Sequence, residues 1–350
     1  MKPYIPVTAD FRLSRVCDTV TIYLENKHVR MKKIKMQMRN IKITAIPEGV
    51  ILILVLLLTA CNTGVEHSKD GGKTRVLATT GMIADLLNQI GGDSITVEVL
   101  MGPGVDPHLY KASEGDVSRL GEADLVFYHG LHLEGKLDHI FEKIQKSGRK
   151  VFAVTDTIAP ERLIASGEFA GNYDPHLWFD LDLWADIARY VSGILSRHEP
   201  ENKDYYRENL QRYLQVLDTA DKAIRAMIEA VPPEKRVLIT AHDAFHYFGR
   251  KYGFEVVGLQ GISTMAEAGV RDVQRLSNFI IERKIPAIFV ESSVSSRNIE
   301  ALIASVNSRG GHVSLGGSLY SDALGNPGTP QENLSGMITY NVETITRALK

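Results

Sequence analysis

The chain has 350 residues, 44% of them hydrophobic and 23% charged, which fits an ordinary globular protein with room for more than one core. Its formal charge of −2 hides an asymmetry, because residues 1–60 hold 10 Lys and Arg against 4 Asp and Glu, leaving 30 against 38, or −8, in the rest. A mildly acidic body without a basic stripe of interleaved aromatics excludes nucleic acid as an expected partner and is compatible with attracting cations.

The first 30 residues match no part of a signal peptide. Residues 31–42 (MKKIKMQMRNIK) form a cationic stretch, and residues 49–60 form an apolar run too short for the ~20 residues that span a bilayer. Met31, Met36 and Met38 could each serve as a translation start. The run ends in Leu58-Thr59-Ala60-Cys61, which resembles the lipobox of bacterial lipoproteins. Cleavage there leaves Cys61 as a diacylated first residue, and two acyl chains hold a protein at a membrane where one anchors it only marginally. The other cysteine, Cys17, is removed by that cleavage, so the mature chain is expected to have neither a disulfide nor a thiolate metal site. Polar residues 61–74 read as a flexible tether. Within it Gly71-Gly72-Lys73-Thr74 imitates the end of a P-loop, but His67 stands where the first glycine is required and no strand precedes it.

From Arg75 onward short β-branched runs alternate with longer amphipathic segments, the pattern of an α/β fold with parallel sheets. Strands are predicted at residues 75–80, 96–101, 123–130 and 151–156, and again at 236–241, 255–260, 287–292 and 312–317. Four strands per half predict two similar lobes, each a mainly parallel four-stranded sheet flanked by helices. The openings VLATTGMIADLL and VLITAHDAFHYF even share a strand-turn-helix shape. Between them, apolar residues from Tyr206 to Ile228 recur at spacings of three and four, predicting a helix of roughly 40 Å at ~1.5 Å per residue, stopped by Pro232-Pro233. One long helix or two broken ones satisfy that pattern. The predicted division is an extension and signal peptide over residues 1–60, the tether over 61–74, a first lobe over 75–201, a linking helix over 202–231 and a second lobe over 232–350.

Eleven histidines raise the question of which converge. His108 lies in GPGVDPHLY, where Pro103, Gly104 and Pro107 forbid helix and put the imidazole on a loop. His176 lies in YDPHLWFD, a second Asp-Pro-His, and the same rigid turn presenting the same residue twice is unexpected by chance. His242 stands at the carboxyl end of a predicted strand, where α/β folds build their sites, and Asp322 follows the last strand after a short loop. Imidazole and carboxylate are the ligands that bind zinc or manganese without thiolate. His129, His132, His139, His198, His246 and His312 are read as structural or solvated, and His67 lies in the tether.

The ordered series GPGVDPHLY, GLHLE, DPHLWFD, AHDAFHYFGRKYGFEVVGLQG, AIFVESS and YSDALG resembles the TroA-like metal-binding proteins of bacterial manganese and zinc ABC transporters. The resemblance covers essentially all of residues 75–350. It implies that His108, His176, His242 and Asp322 bind the metal, and that one long helix joins the two lobes. It also implies a monomer that carries Zn2+ or Mn2+ as transported ligand to a membrane permease and an ATPase on separate chains, from the extracytoplasmic side. Glu291, at a strand end near the expected cleft, is either an acceptor for a ligand imidazole or half of an ion pair between the lobes. Family members with Glu at the position of His242 are associated with manganese. The His- and acid-rich loop of many zinc-dedicated members is missing between His108 and His176.

Two other functions compete. A zinc hydrolase would use His242 and His246 in HDAFH, but Asp243 stands where such sites need Glu, and four protein ligands leave little room for an activated water. An adhesin or interaction lipoprotein would use the metal only structurally.

Overall fold

A computed structural model describes residues 72–166 and 172–350, together with the backbone of three short strands nearer the start. Cys61, the apolar run before it and most of the tether lie outside the described residues. The three strands, β1 (Phe11–Val16), β2 (Thr19–Leu24) and β3 (Ile34–Gln37), pair antiparallel in the order β1-β2-β3. They belong to a unit of their own, separate from the one that begins at Ser68.

In that second unit all eight predicted strands are present. The first four are β4 (Thr74–Ala78), β5 (Ile95–Val99), β6 (Leu125–Tyr128) and β7 (Lys150–Ala153). They form one parallel sheet in the order β5-β4-β6-β7. The interior strand β4 reads Thr-Arg-Val-Leu-Ala, buried almost throughout, as expected of a parallel strand covered on both faces. Helices α1 (Gly81–Gly91), α2 (Glu114–Glu122), α3 (Asp138–Lys146) and α4 (Leu181–His198) accompany it.

The later strands are β8 (Val237–His242), β9 (Glu255–Gln260), β10 (Ala287–Glu291) and β11 (Ser314–Leu319). They differ from the expected continuous ladder, being hydrogen-bonded as two parallel pairs, β8 with β9 and β10 with β11, while β8 and β10 run side by side. The β10-β11 register slips between Ile288 and Phe289, so that Gly316 faces no partner. A Cβ at Gly316 would stand 2.5 Å from the Phe289 ring, so the glycine is what lets that buried aromatic pack there. Helices α6 (His246–Tyr252), α7 (Val270–Arg283), α8 (Arg297–Ser308) and α9 (Leu334–Leu349) complete this half.

The linking segment is a single helix, α5 (Lys203–Ile228), 26 residues long. Its buried face is the predicted one, Tyr206, Leu210, Tyr213, Leu217, Ala220, Ile224 and Ile228. It packs on α1 and α4 of the first half and on α9 of the second. Asn209 Nδ2 donates to the Ile90 carbonyl at 2.8 Å, satisfying a carbonyl in the last turn of α1, and Trp184 Nε1 donates to Tyr213 Oη at 3.0 Å. One apolar cluster runs from Val76 through α5 to Phe289 and Leu349, so the halves share a core as well as a connection. Truncating the buried Trp184 to Ala in such a core costs about 3–5 kcal/mol. Each half also keeps a smaller cluster of its own, around Val126 in the first and Ile239 in the second.

Candidate metal centre

Three loops and the carboxyl end of strand β8 meet between the halves. The loop after β5 carries His108, and Gly104, at φ 74°, supplies the left-handed turn that folds it back. His176 sits at the end of the long connection from β7, just ahead of α4. The two Asp-Pro-His turns are built alike: the Asp106 carboxylate accepts the His108 N–H at 2.8 Å, and Asp174 accepts the His176 N–H at 2.9 Å. His242 is the last residue of β8, and Asp322 follows β11. Trp178 Nε1 donates to the Ser321 carbonyl at 3.0 Å, tying the Asp322 loop to the segment that bears His176.

All four side chains are buried, with one ligand atom of each lying within 4.8 Å of the others. Among the described residues this is the one group of three or more His, Cys, Asp or Glu side chains whose ligand atoms converge. Nε2 of His108 is 3.4 Å from Nε2 of His176, and Asp322 oxygens lie 3.4 Å from His176 Nε2, 3.2 Å from His242 Nε2 and 4.0 Å from His108 Nε2. A tetrahedral ion with bonds of about 2.0–2.1 Å holds its ligand atoms about 3.3 Å apart. Nε2 of His242 and both oxygens of Asp322 make no hydrogen bond, which is costly for buried polar atoms unless a cation satisfies them.

Behind the imidazoles stand carboxylates. Asp174 Oδ1 lies 2.7 Å from His176 Nδ1. The Glu291 carboxylate accepts the His242 N–H at 2.8 Å with one oxygen and places the other 2.6 Å from His242 Nδ1. Both contacts lie within the second half, so the alternative of a Glu291 ion pair between lobes does not hold. Asp106 makes the contact across the halves instead, accepting from Thr264 Oγ1 at 2.6 Å. The repeated Asp-Pro-His carries a signal for the turns that Asp174 and Asp106 make with the following histidines, but not for their contacts with His246 and Thr264.

The electrostatics divide the set. Burial drives His108 down to about 3, against the pull of Asp322, so it is neutral at pH 7. Burial also disfavours charge on His176, but Asp174 and Asp322 outweigh it and raise its pKa to about 9. His242 is likewise raised well above its ordinary value, burial being overcome by Glu291 and Asp322. Asp322 is held well below the carboxylate range because His242 and His176 outweigh its burial.

The other histidines stay apart from this cluster. His129 is fully buried, edge-on to Trp178 and stacked over Trp184, and His132 pairs on the surface with Asp138 at 2.8 Å. His139 and His312 are exposed, and His198 meets Lys150. His246 is not among the converging atoms, so HDAFH does not form the paired-histidine face of a zinc hydrolase.

Comparison with known proteins gives the same picture from outside. The manganese-binding lipoprotein MntA of Bacillus subtilis (strain 168) is 44% identical over 302 residues, 86% of this chain and 98% of that one. The zinc-binding protein TroA of Treponema pallidum (strain Nichols) is 47% identical over 293 residues, 82% of this chain and 94% of that one. The solved structure of periplasmic zinc-binding protein TroA from Treponema pallidum superposes with a TM-score of 0.77, covering 79% of this chain and 99% of that one. The sequence pattern described as ZnuA, zinc-uptake complex component A, periplasmic, matches residues 76–348, nearly the whole span that builds the two halves and the cluster between them. The chain therefore belongs to the ZnuA family, the metal-binding substrate-binding proteins of ABC transporters.

Proposed function

We propose that the protein captures a divalent transition metal, zinc or manganese, outside the cytoplasmic membrane and delivers it to an ABC transporter whose permease and ATPase are separate chains. His108, His176, His242 and Asp322 hold the ion, two from each side of α5. The single observation that carries this is the convergence of four buried donors at spacings that suit one small cation. All four come from one chain, so capture requires no second copy.

Residues 75–201 and 232–350 act as the two lobes, with α5 and the shared core restricting how far they separate. Cys61, acylated after cleavage, anchors the protein through the tether of residues 61–74; no helix among the described residues is long and apolar enough to cross a membrane. Binding rather than catalysis is the fitting activity, because four protein donors fill a tetrahedral shell and leave no position for an activated water.

Metal analysis of protein purified without added metal, followed by titration of the stripped protein with zinc and with manganese, tests the assignment. One ion per chain, lost on Asp322→Ala, is the expected result. Stripped protein that takes up neither ion, or an Asp322→Ala variant that binds as the unsubstituted chain does, would overturn it.

A further inference from the structure

The donor cluster leaves out His246, a histidine whose sequence context reads as structural or solvated. It sits on α6, after the long helix, yet its Nδ1 lies 3.1 Å from Oδ2 of Asp174, before the long helix. The other oxygen of Asp174 is the one 2.7 Å from Nδ1 of His176. On its far side, His246 Nε2 is 3.6 Å from Asp243, whose carboxylate also accepts the Gly258 N–H. Asp174 is completely buried, whereas His246 is 31% exposed.

We propose that His246 is a positioning residue for metal binding, acting through Asp174 to fix the ring orientation of His176 from the opposite half of the protein. This rests on the assignment of His176 as a metal donor.

The physical basis is the economy of carboxylate lone pairs. A buried carboxylate that faces one imidazole with one oxygen can pivot unless its second oxygen is also engaged, and His246 supplies that second donor. The donor is itself held, because α6 is clamped onto the first half at several points. Tyr247 Oη donates to the Asp174 carbonyl at 2.9 Å and accepts the Ile164 N–H at 3.1 Å. Arg250 donates to the Arg162 carbonyl at 2.7 Å, and the nearly buried Lys251 reaches Asp182 at 2.6 Å and Asp180 at 3.2 Å. The orientation of a donor on one half thus depends on the seating of a helix from the other. Any separation of the halves that withdraws α6 releases the second oxygen of Asp174 and loosens its hold on the His176 ring, which gives lobe movement a direct route to metal release.

Zinc release to a fast chelator, followed by stopped flow on the full chain, tests this. His246→Leu keeps volume and removes the donor, while His246→Asn returns an N–H near the position of Nδ1. Release from His246→Leu is expected to be about tenfold faster, the lower edge of the range for groups behind a ligand. His246→Asn should stay within a factor of about two of the unsubstituted rate. Combined with Asp174→Asn, His246→Leu should add nothing, because both act through one path. An unchanged release rate in His246→Leu, or additive effects in the double variant, overturns the proposal. Should His246→Leu fail to fold, His246→Gln against His246→Asn decides it, since the longer amide misplaces the donor; equal rates for the two would refute it. His176→Ala binding zinc as tightly as the unsubstituted chain would instead sink the donor set, leaving the two failures distinguishable.

Discussion

Glu291 holds His242 at two points, accepting its backbone N–H at 2.8 Å and standing 2.6 Å from its Nδ1. A carboxylate against Nδ1 keeps a proton there and leaves Nε2, which faces Asp322 at 3.2 Å, as the atom that can bind a cation. Glu291→Gln keeps the size and loses the charge, so zinc affinity should fall by about 10–100-fold. Titration calorimetry on the stripped variant measures this, and an unchanged affinity would mean that Glu291 serves the fold alone.

Replacing His108, His176, His242 or Asp322 by Ala should cost more than that, beyond about a hundredfold each, because a donor itself is removed. His139→Ala and His312→Ala, both at exposed positions, should bind as before. Equal losses at His139 and His108 would refute the donor set.

The pH dependence follows from which donors carry protons before the metal arrives. His108, with its pKa driven to about 3, is already neutral at pH 7. His176, raised to about 9, is protonated and must lose a proton to bind, and Glu291 and Asp322 shift His242 in the same direction. Zinc affinity should therefore climb from pH 7 to pH 8 by about tenfold for each proton displaced. The window lies above the ~6.5 of an unperturbed histidine. Calorimetry in buffers of different ionisation enthalpy counts the protons released, and a count near zero at pH 7 would refute the prediction.

Three imidazoles and one carboxylate make a softer site than manganese prefers, so zinc should displace bound manganese at neutral pH. Retention of manganese against equimolar zinc would contradict this. His242→Glu should narrow the gap by adding a hard oxygen, but it also sets a second carboxylate against Glu291. Both metals should therefore bind more weakly in His242→Glu than in His242→Glu combined with Glu291→Gln, and competition assays on the two variants separate charge crowding from ligand preference.

Cys61→Ala should accumulate as unacylated precursor. A variant that still fractionates as mature, acylated lipoprotein would show that the anchor lies elsewhere.

Much of this protein is legible in its sequence. The alternation of strand and helix patterns, the face of α5 from Tyr206 to Ile228, and the four candidate donors all stand in the chain itself, because periodicity, the rigid turns at His108 and His176 and the strand-end places of His242 and Asp322 are local properties. What the sequence left open depended on pairs far apart along it. Whether α5 was one helix or two was decided by packing against α1, α4 and α9, and the split of the later strands into two hydrogen-bonded pairs shows only once β8 and β10 lie side by side. Asp174 could be read as half of a turn, but its engagement of His176 on one side and His246 on the other exists only once α6 is seated. Electrostatics were equally out of reach of the sequence. His108 and His176 share the same tripeptide, yet one pKa lies near 3 and the other near 9, because burial dominates at His108 while the buried Asp174 charge lies directly against His176.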